Sequence, residues 1–381
     1  MKLIADRFEN AKAGLMLDAD AVNRYPDLVD LSIGDTDFVT DRRIIDAAMR
    51  DAAAGHTHYG FPQGDPELIR AVCEAWKEDF GQEIAKEEVF ITASSCLGMA
   101  EVLMTLLNPG DEVIVFGPYF AVYRDQIRLA GGVCVEVPSC EEEGYALNRE
   151  CLLAALTPRT RAVILNNPCN PTGIAYNRED LELLASIAGE RDLVLIADEI
   201  YTRYVFEGEF IPLRTLPGLS GRVITLNSFS KNFMMTGWRV GYVIAPAAFC
   251  SALQQVNGSM IYTAPSVSQR AAIEALRLRG DVERLYITRY RDRLNYAADR
   301  IESIPYMSLA RPKGTFYLFP GIEKTGLDSA GFCKAALEQA HVLMSPGSAF
   351  GESGAGHVRI AVTQPMEKLE AAFDRLEKLA F

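Results

Sequence analysis

The stretch "RAVILNNPCNPTGIAYNREDLELLASIAGERDLVLIADEIY", Arg161 to Tyr201, decides the fold. It opens on an apolar, β-rich run, breaks at a turn carrying two prolines and a glycine, passes through a helix-period segment and closes on a second apolar run. Asn177 stands where an N-cap belongs, and Asp180 three residues on makes a relative of the capping box. Strand, helix, strand in that order predicts two parallel strands joined by a crossover helix.

Working outward, the alternation starts at about residue 46 and recurs in "EVFIT", "DEVIVFG", "VCVEV", "RVITLN" and "WRVGYVIA", which with the two runs above makes seven. The rhythm predicts an α/β fold, a mostly parallel seven-stranded sheet between helices. In the helix after "TASS", Leu97, Ala100, Met104 and Leu107 read as the buried stripe. Beyond about residue 275 come a long charged helix, short strands near "GTFYLFP" and "GHVRIAV", and a terminal helix. That change of texture predicts a smaller α+β domain, with an expected division of 46–275 against 1–45 and 276–381.

Composition narrows the partners. The 381 residues carry 51 acids against 38 bases, a formal charge of -13, which would repel nucleic-acid backbones and anionic lipid. Eight cysteines without a C-x-x-C pair, and four histidines without zinc spacing, read as reduced thiols in a cytoplasmic protein with no structural metal. Charges interrupt "MKLIADRFENAKAGLMLDAD" before a signal-peptide core could form, and no apolar stretch is long enough to span a bilayer, so no membrane association is expected.

In a parallel sheet, chemistry belongs just beyond the carboxyl ends of the strands. "TASSC" precedes a helix whose free N–H groups would attract an anion, although a serine there also serves as a plain N-cap. "NNPCNPTG" is a rigid turn with three amides, and Asp198 in "ADEIY" lies at a buried strand end where a carboxylate needs a cation or donor. "SFSKNFMMTGWRVGY" supplies Lys231 and, eight residues later, Arg239. An arginine fork suits a phosphate, and a lysine becomes reactive when desolvation or nearby cations lower its pKa; Arg239 is expected to supply that cationic surrounding.

Taken in order, "LSIGDTDF", "YGFPQGDPELIR", "NNPCNPTG", "ADEIY", "SFSKNFMMTGWRVGY", "GTFYLF" and "HVRIAV" resemble the class I/II aminotransferases, fold-type I pyridoxal phosphate (PLP) enzymes of the aspartate aminotransferase kind. The resemblance covers nearly the whole chain. It implies that Lys231 would hold PLP covalently and then serve as general base, while Asp198 would keep the pyridine nitrogen protonated. Tyr201 and Asn170 would donate to the ring's phenolic oxygen, and Phe120 in "GPYF" would stack on the ring. Ser94, Ser95, Cys96, Ser228, Ser230 and Arg239 would hold the phosphate, mainly through the Ser95 and Cys96 N–H groups and the Arg239 guanidinium.

The same resemblance has Arg359 clamping the substrate α-carboxylate, Gly34 laying its backbone against the substrate, and Tyr59 reaching the phosphate of a neighbouring subunit in a homodimer. Ser94 stands where the family often has glycine, Met234 where it has a small residue, and Cys96 where some aspartate-preferring relatives carry lysine. The implied activity moves an amino group from an L-amino acid to a 2-oxo acid in two half-reactions. A β-eliminating C–S lyase is the alternative on the same residues, and a non-catalytic sensor of PLP or amino acid a more remote one. "GESGAG", Gly351 to Gly356, fails as a dinucleotide loop because no strand precedes it and no long helix follows; it is expected to be a flexible turn near Arg359.

Overall fold

All seven β-rich runs pair into one sheet. In chain order the strands are β1 (Val29–Asp30), β2 (Val89–Thr92), β3 (Glu112–Gly117), β4 (Val133–Pro138), β5 (Thr160–Asn166), β6 (Val194–Asp198), β7 (Val223–Ser228), β8 (Gly241–Ile244), β9 (Tyr317–Leu318), β10 (Val342–Leu343), β11 (Ser345–Pro346) and β12 (Val358–Ala361). The large sheet runs β2-β8-β7-β6-β5-β3-β4, with β8 antiparallel to both neighbours and the remaining pairs parallel. The computed structural model describes residues 3–4, 21–219 and 221–381, so most of "MKLIADRFENAKAGLMLDAD" and its assignment to the smaller region lie outside the described residues.

Central strands are apolar and buried over most of their length because both faces are covered. Ile164, Ile196 and Leu226 pack with Met99, Val102 and Leu103 on one face; Val163, Leu195 and Ala197 pack with Leu181, Leu184 and Ile187 on the other. The second helix layer, Arg178–Arg191, starts where the sequence places it: Asn177 Oδ1 accepts from Asp180 N at 2.9 Å and the Asp180 carboxylate reaches back to Asn177 N.

The first helix layer corrects one expectation. Helix Ser95–Leu106 turns Met99, Val102 and Leu103 inward, together with Gly98 and Glu101, and leaves Met104 exposed. The segment is apolar on two faces, so a 3.6-residue period fits either stripe. Close approach selects the face with Gly98, where a Cβ would lie 3.1 Å from Thr92 Oγ1.

Beside the large sheet, β9, β11 and β12 form a three-stranded antiparallel sheet and β1 pairs with β10. The segment after β1 is held between them, Leu31 N donating to Leu343 O and Leu31 O accepting from Ala361 N, both at 2.8 Å. The long charged helix is interrupted by a π turn at Glu283–Ile287 before Thr288–Ser303. One apolar cluster runs from Ile91 and Met235 to Phe316 and Val342, seating this smaller α+β region on the strand ends of the sheet.

Candidate active site

A cavity of about 390 Å³ opens where β5, β6 and β7 end, and Lys231 is in its wall. β7 runs into a single helical turn, Phe229–Asn232, capped by Ser228 Oγ accepting from Ser230 N at 3.1 Å. That turn directs Lys231 across the cavity, where Nζ donates to Gly34 O at 2.5 Å. Burial lowers the lysine's pKa to about 8; Asp35 opposes the shift, and Arg359 and then Arg239 add to it. The expected cause is thus corrected: desolvation dominates, and Arg239 is the weakest contributor named.

Asp198 ends β6, directly beside β5 and β7. Its main-chain oxygen accepts from Asn167 N at 3.1 Å and Asn166 Nδ2 at 2.9 Å, so the "NNPCNPTG" turn is tied to the strand end that carries the carboxylate. Tyr123 donates a short hydrogen bond to Oδ2, while Oδ1 is buried with no partner. Burial pushes the carboxyl up to about 6 against the pull of Tyr123 and the Ile200 N–H. A buried carboxylate with a vacant oxygen fits a protonated ring nitrogen, the group that the implied PLP would present.

Arg359, on β12, forms the opposite wall. Nη2 donates to Ser32 O at 2.5 Å and to Ser345 Oγ, its cross-strand partner, at 3.3 Å; Nη1 donates to Asn170 Oδ1 at 3.1 Å. The guanidinium lies 4.7 Å from the Tyr317 ring centre and 4.8 Å from that of Phe350, and its buried Nε–H has no partner. A guanidinium packed between side chains in this way is fixed in orientation and retains a donor for an anion.

Gly34, Phe120, Asn170 and Tyr201 line the same cavity. A Cβ at Gly34 would fall 1.7 Å from Tyr317 Oη, so only glycine lets this segment cross the site. Tyr201 donates to Tyr317 Oη at 3.2 Å, and Phe120 meets Tyr123 edge-on at 5.5 Å.

The expected phosphate group is not in the cavity wall but gathers beside it. Gly241, paired with Ser228, brings the helix start so close that a Cβ there would sit 2.7 Å from Ser95 N. Ser94 Oγ caps that helix, accepting from Leu97 N at 3.2 Å, and Ser230 is buried in the turn before Lys231. The Arg239 charge pulls the Cys96 thiol down against the larger upward push of burial, and Arg239 Nη1 donates to Thr236 O at 2.6 Å. Two of the three departures from the resemblance occupy left-handed backbone, Ser94 at φ 95 and Met234 at φ 54, which accounts for the small residue expected at each. Tyr59 lies outside the cavity, 84% exposed and edge-on to Tyr262.

Several cavity residues carried no expectation from sequence, Ser32, Asp35, Tyr123 and Tyr317 among them. Tyr123 alone had a usable signal, since it follows Phe120 at i+3 and therefore shares its side of the chain. "GESGAG" is not a free turn: it forms a 3₁₀ turn, Glu352–Gly354, whose N–H groups at Glu352 and Ser353 are bound by Glu136.

Comparison with known proteins places the chain in a family. The family described as aminotransferase class I and II matches residues 26–376. The chain is 36% identical to an arginine–pyruvate transaminase of Pseudomonas aeruginosa, covering 93% of this chain and 90% of the relative. It is 37% identical to an aromatic-amino-acid aminotransferase of Thermococcus litoralis, covering 92% and 91%. The structure of a Thermus thermophilus aspartate aminotransferase with maleate superposes with a TM-score of 0.93 at 33% identity, over 99% of this chain and 100% of that one.

Proposed function

Because this chain belongs to the class I and II aminotransferases, and is thereby a PLP-dependent enzyme that transfers an amino group, we propose that Lys231, Asp198 and Tyr201 are its catalytic residues. When bound, PLP supplies an electron sink for the carbanion left at the substrate Cα. Lys231, with a pKa near 8, has an appreciable neutral fraction at physiological pH and takes and returns the Cα proton. Asp198, given a cation at its vacant oxygen, stays ionised and keeps the ring nitrogen protonated. Tyr201, its hydroxyl proton turned away from Tyr317, which can donate to it in return, would donate to the ring's phenolic oxygen together with Asn170, and Phe120 would cover the ring face. Ser94, Ser95, Cys96, Ser228, Ser230 and Arg239, gathered beside the cavity, would hold the phosphate. Arg359 would clamp the substrate α-carboxylate, and the backbone of Gly34 would lie against the substrate.

The observation that carries this reading is three unfulfilled groups around one cavity: a desolvated amine, a buried carboxylate lacking one partner and a buried guanidinium lacking one. Lys231→Ala should abolish borohydride-stable attachment of PLP and transamination together. Unchanged attachment and turnover in that variant would remove the assignment. No observation favours the β-eliminating lyase; incubation with amino acid alone should convert the cofactor once rather than release pyruvate and ammonia continuously.

Among the described residues, Lys231 and Arg359 are the only cations lining the cavity, which supports a donor without a side-chain carboxylate. Cofactor absorbance against a panel of acidic, aromatic, basic and sulfur-containing amino acids tests that preference. A homodimer is supported by the exposure of Tyr59, Phe61, Met260 and Tyr262, an apolar surface suited to a second copy. Eight unpaired cysteines support a reducing, cytoplasmic setting, and no helix among the described residues is long and apolar enough to cross a membrane. The division at 46–275 against 1–45 and 276–381 is supported by all seven strands of the large sheet lying between Val89 and Ile244.

A further inference from the structure

The outermost strand of the large sheet, β4, carries a carboxylate that the chemistry above does not use. Glu136 Oε1 accepts from Ser353 N at 2.8 Å and Ser353 Oγ at 2.7 Å, Oε2 accepts from Glu352 N at 3.0 Å, and Arg124 stands 3.6 Å away. Two glycines leave room for it. A Cβ at Gly117 would lie 2.3 Å from Oε1, and one at Gly351, with φ 105, would lie 2.7 Å from Oε2.

The captured turn is rigidly connected to Arg359. It packs back to back on the turn Gly347–Phe350, where a Cβ on Gly354 would fall 2.1 Å from Gly347 O. Phe350 O accepts from Tyr119 N at 2.9 Å, and the Phe350 ring supports the Arg359 guanidinium. β12, which follows directly, pairs with the two-residue strands β9 and β11, two residues with each, and is otherwise held by single main-chain bonds to Leu31 and Pro320, so its own ladder is short.

We propose that Glu136 is a positioning residue for Arg359, anchoring the Gly347–His357 segment to the edge of the large sheet so that the guanidinium meets the substrate carboxylate in one orientation. This rests on the reading of Arg359 as the carboxylate clamp. An acceptor pair holding two successive main-chain N–H groups sets both position and rotation of the turn, which one hydrogen bond would not. Small misplacement of a clamp weakens substrate capture more than it alters proton transfer at Lys231.

The test uses PLP-loaded enzyme and steady-state kinetics with an amino donor that converts the cofactor. Glu136→Gln keeps the size but turns one acceptor into a donor facing an N–H. It should raise KM about tenfold, on the scale of one charge-assisted hydrogen bond, with kcat held within about twofold and PLP content unchanged. Glu136→Asp, with both acceptors on a shorter stem, should recover part of the loss, and Ser353→Ala, which spares both main-chain bonds, should cost less than Glu136→Gln. Should Glu136→Gln fail to fold, these two milder variants carry the same KM-against-kcat comparison. If Arg359→Gln raises KM while the Glu136 and Ser353 series does not, the positioning role is wrong and the clamp stands. If Arg359→Gln leaves KM unchanged, the clamp reading falls and takes the positioning role with it. A fall in PLP content and kcat at constant KM would mark Glu136 as a general fold element and overturn the proposal.

Discussion

At the lysine end of the cavity, Asp198 is the last residue of β6 and Lys231 lies three residues beyond β7, each placed by a strand paired on both sides within the seven-stranded sheet. At the other end, Arg359 sits inside a four-residue strand and is oriented by Ser32, Asn170, Ser345, Tyr317 and Phe350, drawn from four separate stretches of chain. The first end is built locally and braced by the sheet; the second is assembled from distant pieces. Chemistry should therefore fail through kcat when the first is damaged and through KM when the second is.

The largest effect expected from this contrast is at Asp198. Asp198→Asn keeps the shape and the Tyr123 contact but removes the charge opposite the ring nitrogen, and should lower kcat on the order of 10³-fold. A loss confined to KM would break the contrast. Arg359→Lys comes next: it keeps the charge but loses the planar fork, and KM for the amino donor should rise about 10²-fold while kcat moves far less. Stopped-flow conversion of the cofactor separates the two quantities in each variant.

Tyr123→Phe should be milder, about tenfold in PLP affinity at neutral pH, the scale of one hydrogen bond to a charged group. Its pH dependence has a definite sign. In the PLP-free protein burial raises Asp198 to about 6 and Tyr123 holds it down, so removing the hydroxyl raises it further. PLP affinity falls as Asp198 protonates, and that fall should begin at higher pH in the variant than in the parent. Fluorescence titration of PLP-free protein between pH 5.5 and 8 reads the shift; identical profiles would show that Tyr123 does not tune the carboxylate.

The same contrast explains what could be read in advance. Lys231, Asp198 and the "NNPCNPTG" turn sit at strand ends, and strand ends are visible as apolar runs that stop. Tyr317 and Ser32 reach the site only because β9 pairs with β12 and the Leu31 segment is tied between β10 and β12, pairings that two-residue strands do not announce. Helix Ser95–Leu106 shows the limit of periodicity: Leu97, Ala100 and Met104 are as regular a stripe as Met99, Val102 and Leu103, and of the expected stripe only Leu107, just beyond the helix, is buried. Glu101 is fully buried, both oxygens without partners, and burial pushes it up to about 7.

The smallest expected effect probes how the assembled end is fastened. His357, two residues before Arg359, faces Glu141 from the turn after β4, with Nε2 3.0 Å from Oε2, while Ser308 Oγ donates to the same oxygen at 3.1 Å. Nδ1 lies 3.0 Å from Ala355 O, and the ring stacks on Phe319 at 5.1 Å with Glu323 and Tyr145 nearby. Burial alone would lower this imidazole's pKa, but the bonds to Glu141 and Ala355 O and the charges of Glu141 and Glu323 outweigh it and raise the pKa above 6.5. A group whose pKa is raised on folding contributes fully below its unfolded value and loses that contribution as pH rises through the folded one. His357→Gln should therefore lower Tm by about 1–2 °C below pH 6.5, and the gap should close as pH rises through the raised pKa of the folded imidazole. Calorimetry of both proteins across pH 5.5 to 9 decides it: a gap that stays constant would mean that stacking on Phe319, and not the charge facing Glu141, is what His357 gives to the carboxylate end.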